Sequence, residues 1–111
     1  MRKRNAFHRL RIRFAVALIA GSGAITAPDA GAADVFKGRE LYERHCVQCH
    51  GANGRGVLPN TPDFTRGQGL MKPDSALVEL LRTGRGAMPA FRGVLRDQEM
   101  RDVIAHLRTL F

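Results

Sequence analysis

The sequence predicts a small all-α fold of three to four short helices, and three observations lead there. Amphipathic stretches with helical spacing lie at both ends of the region from residue 34 onward, a third and shorter one lies between them, and no run shows the period-two alternation of a half-buried strand. There is no internal repeat and no low-complexity tract. A chain of 111 residues, 44% hydrophobic and 25% charged, is sized for one domain and is neither a disordered polymer nor a membrane bundle.

Ahead of those stretches stands a segment that reads as an export signal. Arg2, Lys3, Arg4, Arg9, Arg11 and Arg13 precede the apolar run Phe14 to Ala20, and small residues follow as far as Ala27 and Pro28. Ala30-Gly31-Ala32 supplies the small-x-small pattern of a signal-peptidase site, so cleavage is expected after Ala32, with Ala33 as the near alternative. Residues 1–32 are then a secretory leader and residues 33–111 the mature domain. The uncharged stretch Phe14 to Pro28 is fifteen residues, short of the ~20 that span a bilayer. The expectation is export to the periplasm with no stable membrane insertion after cleavage. The leader also accounts for much of the net charge of +8: residues 33–111 hold twelve basic and nine acidic side chains, a net charge of +3. A nucleic-acid partner is not expected of so mildly basic a body.

The first helix is expected over residues 34–50, where Val35, Phe36, Leu41, Tyr42 and Cys46 alternate with Lys37, Arg39, Glu40, Glu43 and Arg44. Gly38 is a weak helix former there, read either as the site of a close helix crossing or as a tolerated weakness costing ~1 kcal/mol. Residues 51–69 hold five glycines and two prolines with few apolar side chains, a loop that needs something flat to pack on. Asp74 or Ser75 can cap a short helix through Ala76, Leu77, Val78, Leu80, Leu81 and Arg82, closed by Gly84 at the C′ position. In the last helix Met100, Val103, Ile104, Leu107 and Leu110 form a core stripe behind Asp97 as N-cap, with Arg101, Asp102 and Arg108 on the other face. His45 and His106 read as surface or helix-end histidines, and Tyr42 as a core residue with its hydroxyl near solvent.

A mature domain this small buries only ~60% of its unfolded surface and usually needs a staple. Cys46-Val47-Gln48-Cys49-His50 offers one, because C-x-x-C-H is the attachment sequence of c-type haem. Two intervening residues on a helical turn set the thiols apart by the width of the porphyrin edge whose vinyl groups they add across, and His50 then aims an imidazole nitrogen at the iron. Competing readings are a thioredoxin-like dithiol, a plain disulfide or half a zinc site. The first wants a β-α-β context, and the zinc site a second ligand pair for which only His45 and His106 remain.

With Gly38-Arg39-Glu40-Leu41-Tyr42 before the Cys46 to Gly51 motif and Gly86-Ala87-Met88-Pro89-Ala90-Phe91 after it, the whole mature chain resembles the class I cytochromes c. The resemblance implies a small cytochrome c fold, three to four helices around one covalently attached haem, with His50 and Met88 as axial ligands. It also implies that the first and last helices cross at Gly38 and Tyr42, facing Ile104 and Leu107. Pro62, twelve residues after His50, matches the proline whose carbonyl orients the second nitrogen of the proximal histidine, with Pro59 as runner-up. Arg55, Arg66 and Arg85 sit in loops expected near the ring, yet this chain has no Trp to donate an indole N–H to a haem propionate as many relatives do.

Among the methionines of the mature chain, Met100 belongs to the helix stripe, Met71 sits in a flexible loop, and Met88, between glycine and proline, is the favoured sixth ligand. Iron held by His and Met has no open position for a substrate, so the expected function is one-electron transfer between redox protein partners by a monomeric carrier, not an enzyme. Lys37, Lys72, Arg82, Arg85 and Arg92 suit transient docking on acidic partners. The alternatives are a haem subunit of a larger oxidoreductase such as a dehydrogenase, and a haem enzyme or ligand sensor with a displaceable sixth ligand. Pro62 to Gly67 with Gly84 to Phe91 is also similar to the small monohaem cytochromes that accompany cytochrome cd-type nitrite reductase, which would make that reductase a partner.

Overall fold

The computed structural model describes residues 31–111, so the expected leader, residues 1–32, lies outside the described residues except for its last two positions. Among these residues four helices form: α1 (Val35–His45), α2 (Val47–His50), α3 (Asp74–Thr83) and α4 (Asp97–Leu107), with a 3₁₀ turn at Phe64–Arg66. Among the described residues no strand forms; the extended contacts are isolated bridges at Arg85 with Met88 and Arg92 with Leu95.

Asp34 starts α1 by accepting the Phe36 and Lys37 N–H groups at 2.9 and 3.0 Å, satisfying donors that a helix start leaves unpaired. Glu40 and Glu43 pair with Lys37 and Arg39 along its outer face, and Gly38, Leu41 and Tyr42 form the inner one. The expected continuous helix over 34–50 is broken at Cys46, whose φ of −121° separates α1 from the single turn of α2. α3 follows Pro73 without a side-chain cap, so neither Asp74 nor Ser75 plays the expected capping part. Nor does Asp97 cap α4: Arg96 is the N-cap, its N–H taken by the Glu99 carboxylate at 2.9 Å. Asp97 instead reaches back to Arg82 of α3 at 2.7 Å, tying the two helices together at the surface.

α1 and α4 cross at Gly38. A Cβ there would overlap the Asp102 carbonyl and stand 2.9 Å from the Val103 nitrogen, so only glycine admits this approach. The closeness also corrects the expected face of Asp102. It is 4% exposed, not outward, and its Oδ1 accepts the Asp34 N–H and a Gln98 Nε2–H, each at 2.9 Å. Leu41, Tyr42, Met100, Val103, Ile104 and Leu107 fill the crossing, and Leu77, Val78, Phe64, Leu70, Phe91 and Leu95 extend the core beneath α3 and the loops. The Met100 stripe is therefore core, as its spacing indicates.

His106 lies in the last turn of α4, as expected, but not at the surface: it is 9% exposed, its ring 5.5 Å from that of Tyr42, on the floor of an open cleft bounded by Arg39, Glu43, Asn53 and Thr109. Burial lowers its pKa from the ordinary 6.5, Arg39 adding to the effect and Glu43 opposing it. The folded protein thus resists protonating His106 more than the unfolded chain does. This contribution to stability is complete above pH 6.5 and is lost as pH falls through the lowered folded value. His106→Gln should flatten the decline of the urea midpoint between about pH 7 and about pH 5; identical slopes for the two proteins would contradict it.

Candidate haem site

The junction of α1 and α2 presents both thiols and the imidazole within one turn. Cys46 and Cys49 are half-buried and not joined to each other. Burial pushes the Cys46 thiol up to about 11, with Cys49 nearby adding to the effect. His50 is lowered by burial, which favours the neutral imidazole that a metal requires. Its Nδ1 is buried with no hydrogen-bond partner, an unusual state for a polar atom.

The loop after α2 is pinned to the motif by backbone bonds. Gly56 and Val57 donate to the carbonyls of His50 and Cys49 at 2.7 and 3.0 Å, and Phe64 donates to Gly54 at 2.7 Å. Phe64 then stacks on the His50 ring, centroids 4.9 Å apart and planes 21° from parallel. Sequence reasoning did not single out Phe64; the available signal was one aromatic, two residues after Pro62, in a loop poor in apolar residues. Pro62 is half-buried and Pro59 exposed, and neither carbonyl takes the Nδ1–H in this structure. The Tyr42 hydroxyl is not near solvent as expected: the residue is 1% exposed and the hydroxyl donates to the Gly51 carbonyl at 2.6 Å. Its pKa is raised to about 12, by burial first and by Cys46 second.

The loop after α3 carries Met88. Arg85 and Met88 exchange two backbone hydrogen bonds of 3.0 Å, forming a tight turn, and Phe91 donates to the Leu81 carbonyl at 2.9 Å. Gly84 makes this fold-back possible. Its φ is +73°, and a Cβ would lie 2.6 Å from the Met88 oxygen and 2.7 Å from the Ala90 nitrogen. Met88 is thereby half-buried against the same core that Cys46, Val47 and Leu81 touch. Met71 is 84% exposed and Met100 1%. Arg55, Arg66 and Arg85 are exposed, and among the described residues none makes a side-chain ion pair.

Two free thiols three residues apart, an adjacent neutral imidazole and a thioether packed on the same core fit a covalently held haem, and on this helical frame they define a class I c-type cytochrome. The comparisons agree. Residues 33–107 match the family described as cytochrome c oxidase, cbb3-type, subunit III, and the chain belongs to that family. It is 33% identical over 82 residues to cytochrome c6 of Thermosynechococcus vestitus, covering 72% of this chain and 73% of that protein. It is 34% identical over 89 residues to the cbb3-type cytochrome c oxidase subunit CcoP of Azospirillum brasilense, covering 74% of this chain and 30% of the longer protein. Among solved structures, cytochrome c6 of the diatom Phaeodactylum tricornutum aligns with a TM-score of 0.58 at 28% identity, over 68% of this chain and 92% of that one.

The protein is accordingly a monohaem c-type cytochrome that carries electrons between redox partners. The cofactor is one covalent haem c, for which Cys46 and Cys49 supply the C-x-x-C-H pair. Haem iron, when bound, supplies the ferrous–ferric couple on which one-electron exchange depends. Among the described residues no helix is long and apolar enough to cross a membrane.

Proposed function

We propose that the chain is exported by residues 1–32, cleaved after Ala32, and works in the periplasm as a monomeric carrier whose haem iron is held by His50 and Met88. The contrast among the methionines carries this reading. Met88 alone is half-buried beside the thiol-bearing core, held by the Gly84 fold-back, whereas Met71 faces outward and Met100 belongs to the α1–α4 crossing. The orphaned Nδ1 of His50 needs an acceptor once its ring is a ligand, and the half-buried Pro62 carbonyl is the proposed one. Of the five cations expected to dock on acidic partners, Lys37 and Arg82 are engaged by Glu40, Glu79 and Asp97. Lys72, Arg85 and Arg92 make no such pair among the described residues and form the reduced set.

A thioether favours ferrous iron and closes the sixth position. Reduced wild type should therefore resist carbon monoxide near neutral pH and, oxidised, show the methionine-to-iron charge-transfer band. Met88→Ala should bind carbon monoxide and turn high-spin when oxidised, while Met71→Ala behaves as wild type. Loss of the band in Met71→Ala and not in Met88→Ala would overturn the assignment, and ready carbon monoxide binding by wild type would put a haem enzyme or sensor first.

The match to the cbb3-type oxidase subunits supports a second reading, a haem subunit of a larger oxidoreductase such as a dehydrogenase. Co-purification with a larger complex would favour it over the monomer. The likeness of Pro62 to Gly67 and Gly84 to Phe91 to the cytochromes accompanying cytochrome cd-type nitrite reductase supports that reductase as a partner.

A further inference from the structure

We propose that Tyr42 is a positioning residue for haem ligation: its buried hydroxyl, by donating to the Gly51 carbonyl, holds the peptide that follows His50 and so the orientation of the His50 imidazole. The inference rests on the reading of His50 as an iron ligand. The α1–α4 crossing needs an aromatic ring at position 42, but phenylalanine would fill that volume as well. The hydroxyl is an added polar group in a residue 1% exposed, and burying one without a partner is costly. Its partner lies nine residues on, across the break at Cys46, at 2.6 Å.

The receiving segment cannot hold itself. α2 is four residues long, a single turn that is unstable without outside contacts. Backbone donors Val57 and Gly56 take the carbonyls of Cys49 and His50, at 3.0 and 2.7 Å, but the Gly51 carbonyl has from the backbone only Gly54 at 3.2 Å. Tyr42 completes it with the one side-chain hydrogen bond made to residues 46–56 among the described residues. The His50 ring lies against Phe64 on one side, and, beside the Pro62 carbonyl proposed for its Nδ1, its direction depends on how its backbone is held. Tyr42 belongs to α1, whose contact with α4 is the most extensive between helices among the described residues, and it ties the ligand turn to that crossing.

The test uses haem-bearing wild type, Tyr42→Phe, and Val103→Ala as a control that loosens the same crossing without touching Gly51. Two readouts are taken: amide hydrogen exchange along the chain, and the paramagnetically shifted ring protons of His50 in the oxidised protein. In Tyr42→Phe the His50 and Gly51 amides should exchange roughly five- to tenfold faster relative to Leu80 and Leu81 of α3, as loss of one hydrogen bond implies, and the His50 ring shifts should change. In Val103→Ala exchange should rise in all helices together, with the ring shifts retained. Uniform exchange and unaltered ring shifts in Tyr42→Phe would overturn the positioning role while leaving ligation intact. Absence of shifted His50 ring protons in wild type would overturn the ligation itself, and the proposal with it.

Discussion

Gly38→Ala is expected to lower stability by ~2–3 kcal/mol, moving the midpoint of thermal unfolding down by roughly 10–20 °C in a domain of this size. Intrinsic preference argues the other way, since alanine is better than glycine inside a helix by ~1 kcal/mol. The decisive effect is steric. The new Cβ would meet the Asp102 backbone, not a side chain that could rotate aside. α1 and α4 would have to separate, loosening Tyr42, Met100, Val103 and Ile104 and drawing Asp34 away from Asp102. Arg39→Ala, one residue along and exposed, should change the midpoint little. A melting midpoint for Gly38→Ala at or above that of wild type would show that the crossing is not as close as described.

The largest effect is expected from removing the haem attachment. Cys46→Ser, Cys49→Ser protein made without haem should be largely unfolded, with weak helical circular dichroism and no cooperative melt. In the segment after the motif Val57 is 64% and Leu58 47% exposed, and that segment is held mainly by backbone hydrogen bonds to Cys49, His50 and Gly54. Net worth per such bond is ~1 kcal/mol, against ~1–2 kcal/mol of backbone entropy for each residue ordered, so that segment does not sustain itself. The haem face supplies the missing apolar contact, and covalent attachment couples it to folding. A sharp, native-like melt of the double variant without haem would contradict this coupling.

Periodicity was enough to locate α1, α3 and α4 because each buries one stripe, and a stripe at three- and four-residue steps survives in the one-dimensional order of residues. C-x-x-C-H was legible for a similar reason: the chemistry needs its ligands within one turn, so adjacency in space is adjacency in sequence. Helix starts were less legible. Asp97 has the chemistry of an N-cap, yet Arg82 of α3 competes for it and Glu99 takes the N-cap amide.

Local order by itself determined the thiol pair, the histidine beside it and the helical stripes. Tertiary structure decided what is reached across the chain. The close crossing at Gly38 turns Asp102 inward to Asp34, and the same packing buries His106 against Tyr42. The fold-back at Gly84 sets Met88 apart from Met71, and the stack of Phe64 on His50 joins residues fourteen apart in the chain. The physical reason is common to these cases: a short-range pattern records which face of an element is apolar, whereas the partner of a single carboxylate, hydroxyl or ring depends on distances set only when separate elements meet.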